Sequence, residues 1–415
     1  MVGLFALVVT PCAVASNVFL VDLGVNSGAN SLFLNNNGDV AGRLDLTGGT
    51  HAFFYSGLTG INTDLGPLLP TNSYVTGLSG NGKVAITATG TTGPTGYIYD
   101  GTNVIGLGNL GGWNLTRGVN DAGTVVGQGY QASNTGSHPY LEVSSSYGTP
   151  RDLSTLTLGG SQGEADYINN NGQIAGKSNL PGDGISQAYY SADGTSIVSL
   201  HLGATNSTFR SSTTGMNASG QVIGSGALGS GFSPVQHGFV YTPGDTQATD
   251  LGTLNNFAGS SDAEGINAAG NVVGQSDIAS NQHHAYLDVL VGSTWVMTDL
   301  GTLNGGLGNS TATAINDYGQ IVGTASTASG TSPFLYMNGK MIDLNTLLPS
   351  DSIFTRLVSA TSINNSGVII GQGMIGSVSH AYVLSYSGFT VPEPSTVLSA
   401  LTGFALFAWR FRRRK

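Results

Sequence analysis

Cysteine is all but absent. The single copy, Cys12, lies in an N-terminal apolar stretch expected to be removed, so the rest of the chain has neither a disulfide framework nor thiol chemistry. Charge is scarce too, at 9% of 415 residues, against roughly a quarter in an average soluble domain. Basic residues are the scarcest, and five of the 13 are Arg410, Arg412, Arg413, Arg414 and Lys415. Residues 17–390 therefore hold 8 basic and 22 acidic groups, a net of −14. Such an acidic body is repelled by phosphate backbones, which excludes nucleic acid as a partner. What is abundant is glycine (64 residues) together with Asn, Ser and Thr, while hydrophobic residues hold at 40%. That mixture disfavours long helices and suits short strands joined by tight turns.

The two ends read as addresses. Residues 2–15 are apolar and finish on Ala13-Val14-Ala15, a small-residue site for a signal peptidase, so 1–16 is expected to be an export signal. It lacks the usual basic n-region. At the other end Val391-Pro392-Glu393-Pro394-Ser395-Thr396 precedes an apolar run from Val397 to Trp409 and then the basic cluster. Two prolines two residues apart make an extended linker, because each fixes φ and lacks a donor. Thirteen apolar residues as a short helix span about 20 Å, less than the roughly 30 Å hydrocarbon core. The terminal cations would stay cytoplasmic, placing everything before them outside.

This tail, residues 391–415, resembles the PEP-CTERM sorting signal of Gram-negative bacteria. The resemblance implies an exosortase as processing partner, acting near Pro392, Glu393 and Pro394 while Arg410, Arg412, Arg413 and Arg414 hold the membrane end. It implies transient membrane contact and delivery to the cell surface or an exopolysaccharide matrix.

Between the ends a phrase recurs: an apolar residue, Asn, two variable residues, Gly, then a short apolar stretch. The closing glycines are 38, 82, 123, 172, 220, 270, 319 and 367, spaced by 44, 41, 49, 48, 50, 49 and 48 residues. Periodicity of this length marks a repeat architecture. Each phrase suits a hairpin turn, with Asn bonding the backbone and Gly taking positive φ. An aromatic strand follows, as in His51-Ala52-Phe53 and His284-Ala285-Tyr286, then a fourth strand ending in Asp-Leu, as in Asp64-Leu65 and Asp299-Leu300. The phrases resemble the HAF repeat of bacterial extracellular proteins over residues 17–390. Gly96, Gln187 and Ser332 stand at the His place in units two, four and seven.

Four strands in about 47 residues is the arithmetic of a propeller blade. The body opens on an isolated fourth-type strand, Phe19–Gly24, and ends on a third-type strand, His380–Leu384, without a partner. The expected fold is all-β: a β-propeller of about eight four-stranded blades, the N-terminal strand closing the last, followed by a short C-terminal apolar helix. Small residues on each first strand would face the crowded axis.

Chemistry is harder to find. His51, His138, His237, His284 and His380 occupy one repeat position, and a catalytic base should be unique. The aspartates Asp22, Asp64, Asp152, Asp250, Asp299 and Asp343 repeat as well and suit turn capping, with Ca²⁺ the alternative ligand. No HExxH or similarly spaced ligand set appears, so no metal, cofactor or catalytic residue is assigned. Tyr74, Trp113 and Phe257 break the repeat in the long loops joining one unit to the next. In a propeller these loops would cluster on one face, where aromatic rings either form platforms for sugars or pack against a blade. The sequence reads as a non-enzymatic surface or matrix scaffold for extracellular polysaccharide or a surface protein. The alternative is a polysaccharide lyase or hydrolase built on a propeller.

Overall fold

The computed structural model describes residues 18–386, apart from 27, 29–31, 133–135, 203–208, 229–234, 257–258 and 280–281. The export segment, Phe257 and the entire sorting tail (Pro392, Glu393, Pro394, the apolar segment expected as a helix, and Arg410, Arg412, Arg413 and Arg414) lie outside the described residues. Eight antiparallel sheets of four strands follow one another, each strand pairing with its sequence neighbour. Blades 1 to 7 cover residues 33–64, 72–106, 111–152, 163–200, 211–252, 261–299 and 310–343. Blade 8 is made of 356–386 with 18–25 as its fourth strand. First strands of successive blades contact each other around the full circle, the last meeting the first. The body is a closed eight-bladed β-propeller with first strands innermost.

Closure follows the expected displaced strand. Val18–Val25 pairs antiparallel with Val378–Tyr386, with Phe19 opposite Ser385 and Leu20 opposite Leu384. This leaves no unmatched sheet at the seam.

Local chemistry explains each strand. The eight turn glycines all have φ between +74° and +86°, a region costly for any residue with a Cβ. In each turn headed by Asn, the side-chain oxygen accepts the backbone N–H groups that close it; Asn316 Oδ1 takes those of Tyr318 (3.1 Å) and Gln320 (3.0 Å). Alternate third-strand residues fill the gaps between blades. Phe53, Tyr140, Tyr189, Phe239, Tyr286, Phe334 and Tyr382 are all at most 1% exposed. Burying each such ring stabilises the array by about 1.5–3 kcal/mol. The cores lie between adjacent blades, combining residues such as Val322, Leu335, Leu357 and Tyr382.

The repeated Asn does more than close its own turn. Its carboxamide Nδ2 donates to the backbone carbonyl at the same place in the next blade: Asn217 to Asn267 (3.0 Å), Asn267 to Asn316 (3.1 Å), Asn316 to Asn364 (2.9 Å). The belt closes from Asn364 to the carbonyl of Asn35 at 3.1 Å, across 329 positions of sequence. It changes character at Ser79, where Asn81 Nδ2 reaches the Asp121 carbonyl instead (2.9 Å).

Candidate functional site

The repeated histidines and aspartates form pairs within each blade. Nδ1 of His51, His138, His237, His284 and His380 lies 2.8–3.0 Å from a carboxylate oxygen of Asp64, Asp152, Asp250, Asp299 and Asp22. Each aspartate also accepts the N–H two residues on, as Asp299 does from Gly301 (2.7 Å). The pair pins the fourth strand to the third and caps the turn that follows. Strand register corrects one assignment: Gly96 occupies the Ala place and Thr95 the His place, since Ala88 faces Thr95 as Leu44 faces His51. Gln187 and Ser332 do stand at the His place; Gln187 Oε1 accepts from the Ser199 hydroxyl (2.9 Å), and Ser332 Oγ from Asn345 Nδ2 (3.3 Å). Among the described residues no group of three or more His, Cys, Asp or Glu is placed to hold a metal ion.

Tyr74 and Trp113 are in strands rather than loops. Tyr74 is on the inner strand Asn72–Leu78, close enough to Arg117 to affect its electrostatics. Trp113 begins the inner strand Gly111–Val119, 42% exposed. Its Nε1 donates to the Thr92 carbonyl (3.0 Å), and its ring meets Tyr130 edge-on at 6.0 Å. Trp113 thus packs blade 3 against the outer hairpin of blade 2.

The departures that matter lie at the axis. Seven inner strands carry a β-bulge at the same place, skipping Thr76, Arg117, Asp166, Thr214, Glu264, Thr313 and Thr361. Bulges re-aim a side chain and bend the strand. They also press an inner-strand carbonyl against the second strand: a Cβ on Gly127, Gly176, Gly224, Gly274, Gly323 or Gly371 would collide with it. The recurring Val-Val-Gly and Ile-Val-Gly phrases follow from that approach. In four blades the bulge residue is Thr, whose hydroxyl donates to a nearby carbonyl, as Thr313 does to Ala360 (2.8 Å). In the other three it is charged: Arg117, Asp166 and Glu264.

Around Arg117 and Asp166 the inner strands of blades 1 to 5, with Lys177 from the second strand of blade 4, line an open cavity of about 550 Å³. Its lining mixes Phe33, Leu78 and Val119 with Arg117, Glu164, Asp166, Lys177 and Thr213. Glu164 is gripped on both oxygens, by Arg117 Nη2 at 2.8 Å and Lys177 Nζ at 2.7 Å. These cations outweigh its burial and hold its carboxyl below the ordinary range. Asp166 accepts from the Thr213 hydroxyl (3.2 Å) and has Arg117 Nε 4.0 Å away. Burial, then the charge of Glu164, pushes its pKa up to about 6. Sequence reading missed this cluster because Arg117 lies 47 residues from Glu164. Its available signal was that a repeat place usually filled by Thr turns charged in three units.

No protein-family model and no curated protein matches the sequence. Solved structures do. Dipeptidyl peptidase 4 of Porphyromonas gingivalis aligns with a TM-score of 0.50 at 12% identity, over 84% of this chain and 55% of that one. The chain thus spans about half the length of that protein, and the likeness is one of fold. TolB from Acinetobacter baumannii aligns with a TM-score of 0.37 at 13% identity, over 64% of this chain and 63% of its own. A putative TolB from Agrobacterium tumefaciens gives 0.37 and 13%, over 57% and 87%.

Proposed function

We propose that the protein is an exported surface or matrix component of a Gram-negative bacterium, a non-enzymatic propeller scaffold that holds extracellular polysaccharide. The observation that carries this reading is the placement of charge. In a chain with 9% charged residues, Arg117, Glu164, Asp166 and Lys177 converge on one axial cavity whose walls are otherwise apolar or hydroxyl-bearing. Sugars present hydroxyls at their edges and apolar C–H faces, and a few convergent polar groups in a half-apolar pocket suit them. The sorting tail supports delivery to the surface through an exosortase and a transient membrane contact. A glycan array probed with residues 17–390 tests the binding reading; absence of binding to any glycan would overturn it. Intact-mass analysis of surface protein from the native host tests the sorting reading. We expect the mature form to end near Thr396, and recovery of the Arg412–Lys415 peptide from surface protein would establish a permanent anchor instead.

One observation favours the enzymatic alternative. Glu164 and Asp166 have pKa values driven in opposite directions, the arrangement that separates an ionised carboxylate from a general acid. Release of new reducing ends or unsaturated sugars from polysaccharide, abolished by Asp166→Asn, would establish that reading over the scaffold.

A further inference from the structure

The seam of the ring is also where the chain enters and leaves it. Val18, first residue of the displaced strand, lies opposite Tyr386, last residue of the third strand of blade 8. Both sit on the face of the Asn turns, because nearby Leu384 pairs with Ile369, which follows the turn of Asn364 and Gly367. Beside this exit blade 1 raises the loop 56–61 between its third and fourth strands. Two backbone bonds brace the loop, Ser56 N–H to the Ile61 carbonyl (2.9 Å) and Gly60 N–H to the Ser56 carbonyl (2.8 Å). Asp39 beneath it is buried, and accepts from Gly57 N–H (3.0 Å) and Asn35 Nδ2 (2.9 Å). What the loop shows to solvent is apolar: Leu58 is 91% exposed and Ile61 61%. Phe19 on the displaced strand is 58% exposed and shares a notch of about 200 Å³ with Tyr55 and Gly57. Asn62 Nδ2, next to Ile61, donates to the Leu23 carbonyl (2.9 Å) and ties the two elements together. The corresponding loops of blades 2, 4 and 5 carry exposed acids instead, Asp100, Asp193 and Asp245.

Phe19, Leu58 and Ile61 thus make an uncharged apolar rim at the exit, and the chain that leaves there indicates what meets it. Residues 387–396 separate Tyr386 from the apolar run Val397–Trp409 and its terminal cations. Ten residues reach at most about 33–36 Å when fully extended. A propeller tethered to a bilayer by that run keeps its seam nearest the lipid, at the high local concentration a short linker imposes. The geometry points to a lipid surface as the partner of this rim. While the tail holds the chain, the propeller docks on the bilayer by its seam, with Leu58, Ile61 and Phe19 entering the headgroup boundary. The inference rests on the transient membrane contact proposed above and adds to it a surface and an orientation. Binding of this kind scales with the apolar area inserted. An acidic body is otherwise repelled by anionic lipid, so it matters that the loop at the exit is the uncharged one. Three side chains insert little area, so the docking depends on the tether, and cutting the tail releases both together.

The test uses the full chain, with Cys12→Ser, reconstituted into phosphatidylcholine vesicles that carry a nitroxide-labelled lipid. A polarity-sensitive fluorophore is attached through Leu58→Cys or, as the control, through Val291→Cys. Val291 is also exposed and apolar, but it belongs to blade 6, two blades round the ring from blade 8. We expect the lipid nitroxide to quench the label at position 58 severalfold more strongly than the label at 291. Phe19→Ser with Ile61→Ser should remove most of that quenching and leave the melting temperature unchanged, because both side chains face solvent. Equal quenching at the two positions, or none at 58, would overturn docking by the seam. A blue-shifted label at 58 that the nitroxide does not reach, on a chain sedimenting as a dimer, would assign the rim to a second copy and overturn it as well. Flotation separates this inference from the reading it rests on. If the chain fails to float with the vesicles, the membrane contact falls and the docking with it. If the chain floats and the label at 58 stays unquenched, the docking alone falls.

Discussion

Blades 4 and 6 are built on one plan, with the same bulge, the same flanked alanine and two carboxyls each, yet they handle charge in opposite ways. Blade 4 surrounds Glu164 with Arg117 and Lys177. Blade 6 leaves Asp262 to two neutral donors, and Glu264, at the exposed bulge, has no cation beside it among the described residues. The contrast extends to the third strand. Where blade 4 has Ser191, facing Ile174, blade 6 has Asp288, facing Val272. Ser191 Oγ accepts the Gly194 N–H (3.0 Å), whereas both oxygens of the buried Asp288 find no hydrogen-bond partner among the described residues. A repeat fold fixes the backbone at each place and leaves the side chain free to differ, so an unneutralised group in one blade stands out against its siblings.

The largest expected effect comes from Asp288. Burial pushes its pKa up to about 7. The folded state therefore prefers the protonated acid while the unfolded chain ionises near 4, so stability is full below about pH 4 and falls as pH rises towards 7. Above 7 both states are ionised and the loss is constant. Asp288→Asn should raise unfolding free energy at pH 8 by on the order of 3 kcal/mol and leave it nearly unchanged at pH 4. Denaturation at both values checks this. An equal effect at both would show that the acid is already neutralised in the fold.

Removing the cations of blade 4 should turn it into a second blade 6. Arg117→Met with Lys177→Met strips both partners from Glu164, whose side chain is only 7% exposed. A buried carboxylate left alone is costly, but both cations are partly exposed and solvent screens them, so we expect a loss of about 2 kcal/mol. Adding Glu164→Gln should restore most of it. No recovery would mean that the long side chains stabilise by packing rather than by charge.

Much of this contrast was hidden in the sequence, although the fold was not. The period of about 47 residues, the displaced strand at Phe19–Gly24 and the turn Asn and Gly are local, and local chemistry survives in a linear reading. The His and Asp phrases were each legible, but not as one hydrogen-bonded pair. The Asn belt was invisible because its second bond joins residues 44 to 50 positions apart, and at closure 329. Glu164, Asp166, Asp262 and Glu264 look in sequence like solvated strand residues; only the bulge turns Asp166 and Glu264 to the axis. Tyr74 and Trp113 drew attention as aromatic exceptions in supposed loops, because the inner strands begin earlier than their small-residue cores suggest.

The smallest expected effect concerns the third-strand pair, where nature has already made the substitution in one of the two blades. Blade 6 has His284 with Asp299, at 2.9 Å. Blade 4 has Gln187 with Ser199, at 2.9 Å, and Gln187 Nε2 also donates to the Phe209 carbonyl at 2.8 Å. Converting blade 6 to that pattern with His284→Gln and Asp299→Ser exchanges one charge-assisted bond for a neutral one. It also removes the cap on the Gly301 N–H, which Asp299 now accepts at 2.7 Å. Against this, His284 Nε2 is buried without a partner, and the conversion relieves that cost. The balance is a loss of about 1 kcal/mol, which in a propeller of this size lowers the melting temperature by roughly 2 °C. Binding in the channel should be untouched, because the pair clamps the third strand to the fourth, away from the axis. Thermal melts with the glycan array repeated on the double variant check both halves. An unchanged melt with abolished binding would give His284 a functional role and end its reading as a clamp.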